Sequence, residues 1–143
     1  MPPKLVYYVR VWGRNARPTQ DMGMSPQENT MNYATIKYCD IANGEGVRTS
    51  LFVSGCRRHC PECFNAVAWD FGYGLPFDKA VRNEILGSLA PDYIDGLSLL
   101  GGEPFEPENQ RALVPFLHEV RVLYPHKTIW CYTGNVYETE LLQ

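Results

Sequence analysis

Thr49-Ser-Leu-Phe-Val-Ser-Gly-Cys-Arg-Arg-His-Cys-Pro-Glu-Cys63 is the stretch on which the reading of this chain turns. Its first half, Thr49 to Gly55, is rich in β-branched and aromatic residues and reads as a strand. Its second half sets Cys56, Cys60 and Cys63 in a CxxxCxxC spacing directly behind that strand. Three thiolates on one tight loop suit three irons of a 4Fe-4S cluster and leave the fourth iron without a protein ligand. Spacing alone leaves rivals open. A structural zinc site needs a closed tetrahedron of four donors, with His59, Cys39 or Cys131 as the fourth, and no second CxxC or HxxxH pair is present to complete it. A closed electron-transfer cluster of the ferredoxin kind uses two-residue gaps and four cysteines, whereas the first gap here is three. Incidental burial explains single cysteines well and three within eight positions poorly.

Outward from this loop, strand and helix signals alternate. Asn43-Gly-Glu-Gly46 is turn chemistry and feeds a first strand over Val47 to Ser54. Phe77 to Leu89 places Ala80, Val81, Ile85 and Leu89 at near-helical spacing, with Pro91 as the stop. Gly96 to Leu100 is short, apolar and bounded by glycines, which reads as a buried second strand. Glu108 to Leu123 sets Leu113, Phe116, Leu117, Val120 and Leu123 on one helical face, with Pro115 expected to kink it. Thr128 to Tyr132 reads as a third strand and Tyr137 to Leu142 as the start of a third helix. Strand, helix, strand, helix, strand is the pattern of parallel βαβ units, and ligands bind at the C-terminal ends of such strands. Both the cysteine loop and Gly101-Gly-Glu-Pro104 fall there.

Composition narrows the function classes. The 143 residues are 45% hydrophobic and 20% charged, ordinary for one soluble domain. A net charge of -3 with scattered Lys and Arg gives no basic field, so no nucleic-acid partner is expected. No apolar run reaches the roughly 20 residues of a membrane helix, so no membrane partner is expected either. Five cysteines without a secretory h-region fit a reducing cytoplasm better than a disulfide scaffold. Residues 1–30 carry Lys4, Arg10, Arg14 and Arg17 ahead of any acidic residue and read as a leader or a non-family N-terminal extension, with Met31 as a natural start.

The cysteine spacing behind a strand, combined with Gly-Gly-Glu-Pro at the end of the next strand, resembles the radical S-adenosylmethionine (radical SAM) superfamily. Five ordered blocks sharpen the likeness: Asp40 to Arg48, Leu51 to Cys56, Cys60 to Asn65, Gly96 to Pro104 and Ile129 to Gly134. Together they resemble the family of proteins that activate anaerobic ribonucleoside-triphosphate reductases, over Met31 to the end, about four fifths of the chain.

The resemblance implies an α/β fold, a partial parallel (βα) barrel of the radical SAM type, with residues 31–143 as the activase domain and a C-terminal strand expected to be missing. It implies one 4Fe-4S cluster on Cys56, Cys60 and Cys63, and S-adenosylmethionine as second cofactor. Gly101, Gly102 and Glu103 match the motif that receives the methionine amino group, and Glu62, Cys63, Phe64 and Asn65 lie where adenine is contacted. In that family an electron from the cluster breaks a carbon-sulfur bond of S-adenosylmethionine, and the deoxyadenosyl radical takes hydrogen from a glycine of the reductase. The implied partners are the reductase large subunit and a donor such as reduced flavodoxin. Rivals are activation of another glycyl-radical enzyme, or a truncated fragment that binds a cluster without turnover.

Several residues carry plainer readings. Gly101-Gly102 alone would read as a strand-to-helix turn, and Phe64 equally as core packing. Glu62 stands where many radical SAM enzymes have an aromatic residue. Arg57, Arg58 and His59 read by default as a solvated loop face, with docking of the reductase or tuning of the cluster as the alternative. Cys131 reads as a small buried hydrophobe, and Cys39 has no partner that spacing identifies. Trp130, Tyr132 and Thr133 fall at the ligand side without an assigned role, and turn and strand formation is the default for Asn43 to Arg48.

Overall fold

The computed structural model describes residues 31–63 and 65–135. The N-terminal extension, Phe64 and the helix expected over Tyr137 to Leu142 lie outside the described residues. Five strands form one sheet: β1 (Asn32–Asp40), β2 (Arg48–Val53), β3 (Leu75–Pro76), β4 (Gly96–Gly101) and β5 (Thr128–Cys131). Two helices connect them, α1 (Lys79–Ser88) and α2 (Pro107–Leu123), with a 3-10 turn over Ala66–Trp69.

The strand order is β3-β1-β2-β4-β5. β2 pairs with β4, and β4 with β5, in parallel, as the βαβ reading requires. The other half of the sheet departs from an all-parallel expectation. β1 runs antiparallel to both β2 and β3, so the sheet is mixed. β1 folds back from β2 through the glycine-rich turn, where Gly44 (φ 109°) and Gly46 (φ 83°) sit in the left-handed region that glycine enters without steric cost.

The helices match their sequence signals. α1 is capped by Asp78, whose carboxylate accepts from Val81 N at 3.0 Å. α2 opens on Pro107 and runs through Pro115 to Leu123. Its buried face is Ala112, Leu113, Phe116, Leu117 and Val120, while Leu123, assigned to that face from spacing, is exposed in the last turn. Alternate strand residues Leu51, Val53, Leu97, Leu99, Ile129 and Cys131 meet Ile85, Leu89, Phe116 and Val120 in one apolar cluster. Phe77 packs edge-on against Phe116, ring centroids 5.3 Å apart.

The N-terminal ends of the parallel strands are stitched by Arg48, which is fully buried. Its Nε donates to Ser98 Oγ (2.7 Å), one terminal nitrogen to Glu45 O (3.1 Å) and Thr128 Oγ1 (2.7 Å), and the other to Leu97 O and Thr128 O (both 2.8 Å). The five N–H groups of a guanidinium match these five acceptors on β2's neighbours. Gly96 gives room for this: a Cβ there would stand 1.9 Å from Thr128 O. The block Asn43 to Arg48, unexplained from sequence beyond turn and strand formation, is the clasp that locks β2, β4 and β5 together.

Candidate iron-sulfur site

The opposite, C-terminal ends of the parallel strands carry the cysteine loop and the Gly-Gly-Glu loop side by side. β2 leaves the sheet through Gly55 (φ 101°), where a Cβ would lie 2.3 Å from the Phe71 ring. Gly55 N then donates to Ala68 O (2.7 Å) and Cys56 N to Trp69 O (3.2 Å), closing the base of the loop. Gly102 N donates to Val53 O and Glu103 N to Gly55 O, both at 2.8 Å. At Gly101 (φ 110°) a Cβ would meet Val53 backbone at 2.7 Å, and at Gly102 it would meet Gly55 O at 2.6 Å. The close approach these glycines permit is to the end of β2, which draws Gly101, Gly102 and Glu103 against Val53 and Gly55, immediately before Cys56.

Glu103 is buried, and its carboxylate is engaged within the chain. Oε1 accepts from Phe105 N (3.0 Å) and Thr133 Oγ1 (2.6 Å), and Oε2 from Gly134 N (2.8 Å). Asn109, at 1% exposure, donates to Ser54 O and Glu103 O, both at 3.0 Å. Thr133, Gly134 and Asn109 were not assigned roles from sequence. They join the ends of β2, β4 and β5 to the first turns of α2.

Within the loop the thiols are unpaired by disulfides: Cys60 is exposed, Cys56 and Cys63 are half-buried. His59 (φ 45°) and Glu62 (φ 59°) are left-handed and turn the chain back on itself, and Cys63 N donates to Cys60 O at 3.2 Å. Burial pushes the Cys56 thiol up, while the backbone amides of Arg58 and His59 pull the other way. Glu62 is exposed, and Asn65 sits at the N-terminus of the 3-10 turn, its carbonyl accepting from Ala68 N at 3.0 Å. Among the described residues no three His, Cys, Asp or Glu side chains converge closely enough to hold a metal ion. The three cysteines share a loop without being drawn into one coordination set.

The geometry also bears on the fourth donor of a zinc site. His59 is stacked on Trp69, ring centroids 4.2 Å apart and planes 8° from parallel. Cys39 lies in β1 next to Asp40, which pairs with Arg48 at the start of β2, roughly 20 Å of strand from Cys56. Cys131 is buried in the core, and that burial raises its thiol pKa strongly. Among the described residues, none of His59, Cys39 and Cys131 joins the loop thiols in a metal-binding group.

Arg57, Arg58 and His59 are exposed, as a solvated loop face requires, and the two arginines are also tethered. Arg57 N donates to Glu106 Oε1 (2.9 Å), and its guanidinium reaches Glu106 (2.6 Å) and Glu108 (2.5 Å). Hydrogen bonds from Arg57 hold the Glu108 carboxyl down at about 2. Arg58 donates to Asn135 Oδ1. A groove of about 350 Å³ beside Arg57 is lined by Met31, Asn32, Phe71, Glu108 and Asn109.

The chain is a mixed α/β protein with three thiols on the loop after a parallel strand, and residues 42–143 match the family described as 4Fe-4S single cluster domain, which places it among iron-sulfur proteins. Curated relatives are more specific. The anaerobic ribonucleoside-triphosphate reductase-activating protein of Pasteurella multocida (strain Pm70) is 44% identical over 106 residues, 73% of this chain and 67% of that protein. Its namesakes in Escherichia coli (strain K12) and Enterobacteria phage T4 are 41% and 38% identical, over 73% and 76% of this chain and 69% of each relative. The chain belongs to the family of anaerobic ribonucleoside-triphosphate reductase-activating proteins. No solved structure matches it. No helix among the described residues is long and apolar enough to cross a membrane.

Proposed function

We propose that this chain activates an anaerobic ribonucleoside-triphosphate reductase by radical SAM chemistry, with Cys56, Cys60 and Cys63 holding one 4Fe-4S cluster. The observation that carries the reading is the docking of the Gly101-Gly102-Glu103 loop against Val53 and Gly55, immediately before Cys56, at the C-terminal ends of β2 and β4. Cys56, Cys60 and Cys63 would hold such a cluster, which would supply the single electron needed for reductive cleavage of S-adenosylmethionine and so for radical generation on the reductase.

The protein's part is placement. The missing side chains of Gly101 and Gly102 let this loop close on the end of β2, and their backbone carbonyls, held beside the start of the cysteine loop, would offer acceptors to the amino group of S-adenosylmethionine. Glu103 serves by holding that backbone, its carboxylate being committed to Phe105, Thr133 and Gly134. Glu62, Cys63, Phe64 and Asn65 form the segment assigned to the adenine. Parallel pairing of β2, β4 and β5 with intervening helices supports a partial (βα) barrel over residues 31–143 as the host. Residues 1–30 are then an extension outside this domain. The working compartment is the cytoplasm, with reduced flavodoxin or a similar donor as electron source and neither nucleic acid nor membrane as partner.

The test is anaerobic reconstitution with iron and sulfide, reduction in the presence of S-adenosylmethionine, and detection of 5'-deoxyadenosine, with a Cys60→Ala control. Product from the parent and none from the control supports the reading, and a glycyl-radical signal on added reductase identifies the recipient. Uptake of zinc without iron would overturn it.

A further inference from the structure

Three residues fill the gap between Cys56 and Cys60, and each is anchored on a different element. Arg57 turns toward α2, where its amide and guanidinium both engage Glu106 and its guanidinium also meets Glu108. The same guanidinium lies over the Phe71 ring, 4.5 Å from its centroid. Arg58 turns the other way, to Asn135 behind β5. It passes over Gly134 so closely that a Cβ there would stand 2.7 Å from Arg58 Cδ. His59, held left-handed, stacks on Trp69 of the 3-10 turn. Gly134 in turn is bound by Glu103, so the cysteine loop, the Gly-Gly-Glu loop and the segment behind β5 form one connected unit.

We infer that Arg57 and Arg58 are positioning residues that spread the cysteine loop across the ends of β4 and β5 before any iron arrives, with His59 as the third anchor. The inference rests on the cluster reading above and adds to it a device that presets the first cysteine. Physical chemistry favours placement over fold maintenance as the task. The Arg57 side chain is 57% exposed and that of Glu108 44%, and ion pairs so exposed contribute little to global stability. The guanidinium bonds of Arg57 to Glu106 and Glu108, made from the residue next to Cys56, act instead on the course of the loop there. Groups that orient a metal's ligands typically change its affinity by about 10–100-fold when removed. The bidentate fork is specific to arginine, since a lysine ammonium offers a point charge with no planar pair of donors.

The experiment uses the full chain with Arg57→Gln, Arg58→Gln, the double variant and Arg57→Lys. In the metal-free protein, hydrogen exchange across residues 56–63 is expected to accelerate in the Gln variants while the urea midpoint stays at the parental value. After anaerobic loading, chelator-driven loss of the cluster absorbance is expected to be about tenfold faster in the double variant, with Arg57→Lys intermediate. Parental exchange and parental chelator rates in the double variant would overturn the inference. So would a drop in the urea midpoint that accounts for the faster exchange, because the arginines would then be serving the fold. A parent chain that takes up no iron would overturn the cluster reading, and the exchange measurement alone would then decide whether the arginines set the loop.

Discussion

Replacing Glu103 by glutamine should destabilise the metal-free chain by about 2–4 kcal/mol, an expectation built from the loss of charge-assisted hydrogen bonds in a buried place. Glu103 is 4% exposed, and every partner of its carboxylate is a donor: Phe105 N and Thr133 Oγ1 on one oxygen, Gly134 N on the other. Glutamine has the same length and only one acceptor atom. With its oxygen placed at Oε1 it keeps Phe105 and Thr133, and its NH2 group faces the Gly134 N–H. Flipped, it keeps Gly134 and opposes the Phe105 N–H. Either way a backbone donor meets a donor, which costs about 1–3 kcal/mol for the orphaned group, and the bonds that survive are about half as strong without the charge. Urea denaturation followed by far-UV circular dichroism reads this directly, with Thr133→Val as comparator, expected to lose about 1 kcal/mol for one bond. A Gln variant within about 0.5 kcal/mol of the parent would refute the strut argument. If that stable variant had also lost affinity for S-adenosylmethionine, the carboxylate would be a ligand group instead.

Arg48→Met should cost more than about 4 kcal/mol or abolish folding, because it strips donors from Glu45 O, Leu97 O, Ser98 Oγ and both Thr128 acceptors in a buried place; a urea midpoint near the parental value would defeat this. Gly102→Ala should cost about 1–3 kcal/mol through the contact its Cβ makes with Gly55 O at 2.6 Å, and the same denaturation assay checks it. In the metal-free folded chain at mildly alkaline pH, iodoacetamide should label exposed Cys60 well before Cys131, whose thiol burial keeps protonated; mass spectrometry of early Cys131 adducts would contradict the core placement. Glu108, lowered from 4.5 to about 2 by Arg57, keeps its ion pair at full strength above pH 4.5 and loses it as pH falls toward 2. The stability at stake is small because the pair is exposed, so a carboxyl titration by NMR is the measurement, and a midpoint near 4.5 would remove the tether.

The parallel half of the sheet was legible because β4 is an apolar run bounded by glycines and β2 and β5 are rich in β-branched and aromatic residues, and because α1 and α2 carry their apolar spacing in sequence. β1 escaped notice for a physical reason. Its nine residues are mostly partly or wholly exposed, and its pairing with β2 is broken by register shifts near Ala34 and Cys39, the latter at φ 51°. A bulged strand loses the alternation that marks a strand in sequence. β3 is two residues long and has no pattern to read. In the site, the three cysteines and Gly101-Gly102 announced themselves by spacing, but what holds them did not. Thr133 meets Glu103 from 30 residues away and Arg57 meets Glu106 from 49, distances over which only the strand order brings side chains together.

That strand order also explains why the two ends of the same three parallel strands are built so differently. At the N-terminal end Arg48 spends all five donors on acceptors fixed by β4, β5 and the turn before β2, an arrangement with no free valence to offer a ligand. At the C-terminal end the polar side chains bind loops to one another: Glu103 to the segment behind β5, Asn109 to the ends of β2 and β4, Arg57 to α2. The thiols ride on that scaffold, and Cys60 projects at the surface beyond it. Locking one end by a buried cation frees the other to carry irregular backbone, including the left-handed His59 and Glu62, whose cost of order 1–3 kcal/mol each the scaffold must offset. Substitutions at Arg48 should therefore act on the whole sheet, whereas those at Arg57 should act on the loop while the sheet stays folded.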